Sequence, residues 1–272
     1  MNGMSQKFGE RFASGTLLVL AFSALASLVL IAAFILKEGV PFMVRTGLGH
    51  FLFSSEWRPQ EGLFGIYPMI VASFCVTFGA MLVGAPLGIS GAIFLNEFVP
   101  QTVTRIIKPA IELLAGIPSV VYGFIGVMVL APLIRAQLGG PGLSVLCASL
   151  ILGIMVLPTI MSISIDAIGS VPKSYREGAL ALGATRWQSV YMVTLKAARS
   201  GIVAAVILGM GRAVGETMAV IMVAGNTVKI PHSPLDSVRT LTANIALEMG
   251  NATGQPRQAL FATGVVLFVI IM

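Results

Sequence analysis

Charge is what this sequence has least of. Only 10% of its 272 residues are Asp, Glu, Lys or Arg, against about 25% in an ordinary soluble domain. A water-exposed globule needs a polar surface that this chain cannot supply, so a soluble enzyme and a disordered polymer are both excluded. Cysteine is also scarce. Cys75 and Cys147 are the only two, too few for a disulfide framework or a zinc site, and each lies in an apolar run that suits a small hydrophobe. Basic runs longer than two residues are missing, as is any basic stripe interleaved with aromatics. The net charge of +6 therefore points to helix ends at a membrane surface and not to nucleic acid. There is no G-x-x-x-x-G-K-[ST] loop, and no Ser-His-Asp, Cys-His or paired-carboxylate arrangement is placed for catalysis. What remains is 56% hydrophobic with a mean hydropathy of +0.94, the composition of an integral membrane protein.

Charge-free intervals mark the spans, each needing about 20 apolar residues. Residues 1–15 form a polar tail, and Thr16–Leu36, bounded by Arg11 and Lys37, is too long for a signal-peptide core and predicts a retained first helix. Residues 37–65 then form an outer segment, and residues 66–272 the core. No charge occurs between Glu61 and Glu97, which sets a second span at about Ile66–Phe94. A third is expected at Leu113–Ile134, a fourth within Ala136–Ile165 and a fifth at Ser200–Ala224. The sixth begins near Gln258 and reaches Met272. At 1.5 Å per residue that stretch is shorter than the ~30 Å hydrocarbon core, so the last helix is expected to be cut short. The expected fold is an all-α integral membrane protein of about six spans, with both termini on one side. Counting cations by loop gives nine inside against seven outside for an inner N-terminus.

The segment at 166–199 is polar, and within it SVPKSYREGALALGATRWQSVYMVTLKAARS (170–200) is the most informative stretch. Ser170, Pro172 and Ser174 are helix-start signals, Ala179, Leu180, Leu182 and Ala184 form an apolar strip, and Gly183 breaks the helix. Trp187, Val190, Tyr191 and Val193 restart a helical pattern. The pattern predicts two short helices joined at a glycine turn, suited to docking another protein or to lying on the lipid interface.

This spacing resembles the cytoplasmic motif of permeases from binding-protein-dependent ABC importers, which reads EAA, three residues, G, nine residues, then I-x-L-P. Here Glu177-Gly178-Ala179 is followed at the same intervals by Gly183 and by Val193-Thr194-Leu195-Lys196. Gly178, Val193 and Lys196 depart from the pattern, and Gly178 would weaken its helix by roughly 1 kcal/mol relative to alanine. Three further stretches make the chain most similar to phosphate-uptake permeases of the PstC type, in the MetI-like family. They are Phe53-Ser54-Ser55-Glu56-Trp57, Ala115-Gly116-Ile117-Pro118-Ser119-Val120-Val121-Tyr122-Gly123, and Gly211-Arg212-Ala213-Val214-Gly215-Glu216-Thr217-Met218-Ala219. The resemblance implies a multi-pass protein of the bacterial inner membrane with a cytoplasmic N-terminus. It implies a heterodimer with a PstA-type permease, a PstB-type ATPase dimer carrying the ATP-Mg, and a PstS-type extracytoplasmic phosphate-binding protein. It also implies that Glu177, Gly178, Ala179, Gly183, Ala184 and Arg186 belong to the ATPase-coupling element.

Arg212 and Glu216 stand in the middle of the fifth span, where an arginine costs about 2.5–3.5 kcal/mol even on the lenient insertion scale and must face protein or water. Their i, i+4 spacing predicts a pair on one helix face. Arg212 would meet a tetrahedral oxyanion with Glu216 orienting it, or the two would form a buried salt bridge that fixes helix register. Ser119, after the Gly116-Ile117-Pro118 break, marks a helix start that could face an anion or be a plain helix start. Alternative readings are a permease for sulfate or molybdate, and an ATP-independent secondary transporter, against which the lack of a duplicated half argues. No metal and no cofactor of its own is expected.

Overall fold

The computed structural model describes residues 2–272, the side chains of residues 2–13 and of residue 101 excepted. The chain begins with α1 (Asn2–Thr46) and α2 (Leu48–Phe53). A small antiparallel hairpin follows, β1 (Trp57–Arg58) and β2 (Leu63–Phe64), with Trp57 opposite Phe64. Then come α3 (Tyr67–Glu97), α4 (Gln101–Ala115), α5 (Ser119–Leu138) and α6 (Val145–Gly169). Two shorter helices, α7 (Lys173–Ala181) and α8 (Arg186–Ala197), lead into α9 (Arg199–Gly215) and α10 (Met218–Val223). The last elements are α11 (Leu241–Glu248) and α12 (Gln255–Ile271).

Four helices among the described residues are long and apolar enough to cross a membrane: Ser14–Thr46 of α1, then α3, α5 and α6. The pair α8–α9, bent by 69° at Ala198, would be a fifth, and α12 is a shorter apolar helix. The expected spans need three corrections. The first helix runs on past Leu36 to Thr46, because Phe42 and Met43 are buried among outer apolar residues that hold it there. The third span does not begin at Leu113. Helix α4 ends at Ala115, and Pro118 adopts an extended φ/ψ of −56°/135° before α5 starts at Ser119, since a proline cannot continue a helix interior but suits its first turn. The fifth span is not continuous. Glu216 is extended (φ −67°, ψ 133°) between α9 and α10.

Helix α3 lies along α6 over most of its length. A Cβ added to Gly84 would stand 2.8 Å from the Gly153 carbonyl and from Val156 Cγ2, so the two backbones approach as closely as glycine allows. In lipid the hydrophobic effect does not drive helix association, and such close packing supplies the contact energy instead. Leu152, Met155, Val156 and Ile160 of α6 are buried in the cluster shared with α3, α5, α9 and α10. A second cluster, with Phe42, Phe51, Trp57, Phe64, Leu241 and Leu260, ties α1, α2 and the hairpin to α11 and α12. A third, with Leu95, Ile111, Ile165 and Ala198, gathers the opposite ends of α3, α4 and α6 at the α8–α9 bend.

Helix ends show how a mostly apolar chain satisfies its backbone. At the start of α6, the N–H groups of Ser144, Val145 and Leu146 donate to the carbonyls of Val223, Asp236 and Pro234 at 2.8–3.0 Å. The Ser144 hydroxyl accepts from Cys147 N–H. The loop 224–240 is thus folded back over the α6 N-terminus, and the four donors left open by any helix start find partners in it, at the end of α10 and in the cap.

Candidate functional site

The break in the fifth span is built from polar groups satisfied inside the protein, as non-helical backbone at membrane depth requires. The Glu216 carbonyl accepts the Thr242 hydroxyl at 2.8 Å. Its carboxylate accepts the Ala219 N–H at 3.2 Å, an acid at the start of α10 where the helix dipole favours one. The expected Arg212–Glu216 pair is therefore not formed: among the described residues no ion pair joins them, because α9 ends before Glu216 and their shared helix face is lost.

Arg212 reaches elsewhere. One of its terminal nitrogens donates to Thr159 Oγ1 of α6 at 3.1 Å, the other to the Ala115 carbonyl at the end of α4, also at 3.1 Å. Both acceptors are neutral. The guanidinium is oriented without being neutralised, and it sits at a helix C-terminus, which favours a cation. Ala115 is four residues before Ser119, so Arg212 anchors the break from which α5 sets out. Ser119 is the first residue of α5, behind Pro118. Of the glycines near Arg212, Gly209 packs α9 against Ile160, whereas Gly211 and Gly215 have open space beside them.

At the other polar centre, α7 and α8 meet at Gly183, whose φ of +84° is the left-handed conformation that favours glycine. Its N–H donates to the Leu180 carbonyl and the Ala184 N–H to that of Ala179. Thr185 and Gln188 then cap α8 reciprocally, side chain to backbone in both directions. Ala179, Gly183 and Ala184 line a groove of about 490 Å³ with Tyr175, Leu182 and Gln188, whereas Glu177 and Gly178 are exposed outside it. Leu182 is 91% and Trp187 59% exposed, an apolar surface raised beyond the span ends.

What fastens this segment to the bundle escapes a reading of the sequence. Glu97, the last residue of α3, is buried and receives Arg176 of α7 at 2.6 Å. The Glu97 carbonyl accepts Arg186 of α8, and the Arg186 guanidinium lies 5.4 Å over the Phe98 ring, a cation–π contact. Arg186 therefore faces the bundle, while the groove lies on the other residues of the turn. The signal in the sequence is a single carboxylate ending a long uncharged stretch.

The outer ends of the spans converge as well. Trp57 Nε1 of the hairpin donates to Glu248 Oε2 of α11 at 3.0 Å, and Arg239 bonds the other oxygen at 2.7 Å. This joins the two outer segments, 37–65 and 229–257. Within the second, Lys229 at 2.8 Å and the N–H groups of His232 and Ser233 hold the Asp236 carboxylate well below its usual range, at about 2. His50 and His232 stand apart, and among the described residues no three His, Cys, Asp or Glu side chains gather as a metal site.

Several apolar helices, an interrupted one carrying a charged residue at depth, and a paired-helix projection at one set of span ends define a multi-pass membrane protein. The chain belongs to the family described as the binding-protein-dependent transport system inner membrane component, which matches residues 84–272. It is 46% identical to the probable ABC transporter permease protein YqgH of Bacillus subtilis, over 92% of this chain and 83% of that one. It is 38% identical to the phosphate transport system permease protein PstC of Xylella fastidiosa, over 81% and 74%. Against the probable PstC of Methanocaldococcus jannaschii it is 32% identical, over 89% and 84%. Among solved structures, the inward-facing MetNI methionine ABC transporter superposes with a TM-score of 0.56 at 18% identity, covering 79% of this chain and 93% of that one. The shared fold is MetI-like. Membership makes the chain the inner-membrane component of a binding-protein-dependent transport system.

Proposed function

We propose that this chain is the permease of an ATP-driven inorganic phosphate importer and forms the transmembrane path with a second, PstA-type permease. The names of its relatives support phosphate as cargo. The observation that carries the chemistry is Arg212, a guanidinium fixed at membrane depth by two neutral acceptors and so still bearing its full charge. Phosphate presents paired oxygens that match the donor fork of arginine. Because two of the five donors are already committed, the remaining attraction favours passage over tight retention. Glu216 shapes the break, and Ser119 opens α5 beside it. Gly211 and Gly215, with open space next to them, let an anion or the second permease approach the backbone.

Coupling runs through the α7–α8 turn. A PstB-type ATPase dimer, holding ATP-Mg, docks on the apolar surface around Gly183 and Ala184, with Glu177, Gly178 and Ala179 on the first helix and Arg186 returning the load to Glu97. The N-terminus and this turn face the cytoplasm of a bacterial cell. A PstS-type binding protein delivers phosphate to the opposite face, on the joined segments around Trp57 and Glu248. Closure of the ATPase switches the path between outward and inward access.

The test is phosphate-stimulated ATP hydrolysis and uptake by the reconstituted four-component system, wild type against Arg212→Gln. Stimulation that disappears in the variant, with assembly intact, supports both cargo and residue. Equal stimulation in both reduces Arg212 to a helix anchor, and a response to sulfate or molybdate instead of phosphate replaces the cargo.

A further inference from the structure

A second cationic centre lies at the span ends that carry the α7–α8 turn, apart from Arg212. A cavity of about 350 Å³ opens between the last turn of α3, the charged face of α4, the end of α6 and the first turn of α7, and Arg105, Lys108, Lys173 and Arg176 line it together with Asn96 and Thr104. Among the described residues no carboxylate lines it. The acidic groups nearby are ion-paired: exposed Asp166 and Glu112 with Lys108, and buried Glu97 with Arg176. Four cations against these three carboxylates leave one positive charge in excess. Arg105 and Lys173 have no hydrogen-bond or ion-pair partner among the described residues, and Arg176 Nε is buried without an acceptor.

The backbone adds to this potential. Helix α7 starts at the cavity behind Pro172, which offers no side-chain cap, and its first turn contains no acid. Its opening N–H groups and positive dipole end therefore favour an anion at the same place. Asn96 and Thr104 spend their donors on the Ile165 and Leu95 carbonyls, so the charged groups decide what binds. Position narrows the ligand. Exposed Val103, Ile106, Leu113 and Leu114 give α4 an apolar surface beside its charged face, the build of a helix that lies at the membrane interface, where basic pockets between helices take lipid headgroups.

We infer that this cavity is a binding site for a phosphate group, held by Arg105, Lys108, Lys173 and Arg176. The phosphate comes from the headgroup of an anionic lipid or from free inorganic phosphate. Either way it bridges α4 to α7. The consequence is mechanical: the coupling turn becomes tied to the helix whose far end is gripped by Arg212 through Ala115. An anionic lipid would make this tie a standing feature of the membrane. Free phosphate would make it depend on the concentration of the anion on that side.

The test uses the permease with its copurifying subunits in nanodiscs of phosphatidylcholine, or of an equal mixture of phosphatidylcholine and phosphatidylglycerol, with and without inorganic phosphate. Arg105→Gln combined with Lys173→Gln removes two exposed, unpaired charges, so its thermal unfolding in phosphatidylcholine without phosphate should equal that of wild type. A rise in Tm of about 2–4 °C with phosphatidylglycerol, absent in that variant, assigns the site to lipid. The same rise with inorganic phosphate in phosphatidylcholine, again absent in the variant, assigns it to the free anion. Lys196→Gln with Arg199→Gln is the control, two exposed cations in the same stretch of chain that do not line the cavity. No rise in wild type, a rise that persists in the Arg105/Lys173 variant, or a rise lost equally in the control variant overturns the inference.

Discussion

Arg212 and Arg176 are both half-buried arginines at the junction of three helical segments, but their acceptors differ in kind. Arg212 is held by a hydroxyl and a carbonyl. Arg176 is held by a buried carboxylate, Glu97, and by the Ile168 carbonyl. The first arrangement fixes a direction and leaves the charge to act on whatever passes. The second pairs the charge with an acid, leaving Nε alone without an acceptor, and makes a joint. Neutral acceptors leave the whole of an arginine's charge to meet an anion, whereas an acidic acceptor spends most of it on holding elements together.

The sharpest way to break this contrast is Arg212→Lys. It keeps the charge, but a single ammonium cannot reach Thr159 and Ala115 in the same fixed plane. We expect uptake in proteoliposomes to fall about 10–100-fold with the assembled complex recovered in normal yield. Near-normal uptake would show that charge alone suffices. Next is Glu97→Gln, which leaves Arg176 half-buried without its counter-ion. It should cost about 1.5–3 kcal/mol in thermal unfolding and weaken coupling between ATP hydrolysis and uptake. Glu97→Arg combined with Arg176→Glu should recover part of the loss in a double-mutant cycle, and no recovery would remove the joint from the account.

Smaller effects belong to single turns. Gly183→Ala forces a side chain into the left-handed region, at a cost of roughly 1–2 kcal/mol. No atom lies within 4 Å of the added Cβ, so the penalty is backbone strain alone, and Gly183→Asn should cost less. Copurification with the ATPase measures both. The smallest effect is in the outer loop. Asp236 has a carboxyl held at about 2 against an ordinary 3.8, so its contribution is complete above pH ~4 and disappears as pH falls towards 2. Hydrogen exchange of residues 229–238 should accelerate over that window in wild type and be already faster above it in Asp236→Asn.

The sequence made the long spans visible because lipid forbids charge, and gaps between charges survive any detail of packing. It also made the Gly183 turn visible, since a helix-breaking glycine and the apolar residues flanking it are local signals. The broken span was misread for the opposite reason. An i, i+4 pair presumes a continuous helix, and the break at Glu216 depends on Thr242, which is 26 residues distant and folds back from α11. Arg212 was visible as a costly residue, but its acceptors on α4 and α6, 97 and 53 residues away, were not. Glu97 stayed hidden as a boundary mark because Arg186, which it serves, lies 89 residues further on. Local chemistry was legible, whereas partners brought together by the fold were not.

The glycine contact between α3 and α6 sets the scale on which this molecule can move. With Gly84 against Gly153 the two backbones touch without a side chain of either residue between them, so a tilt of one helix is passed directly to the other. At 1.5 Å per residue, the 31 residues of α3 make a rod about 46 Å long. A tilt of about 5° pivoted at one end sweeps the other by roughly 4 Å, on the order of a helical turn. Glu97 sits at one tip, and the hairpin beside Tyr67 at the other. A push on the α7–α8 turn is therefore geared across the whole membrane thickness, and a load on the outer hairpin is felt at Glu97 with the same leverage.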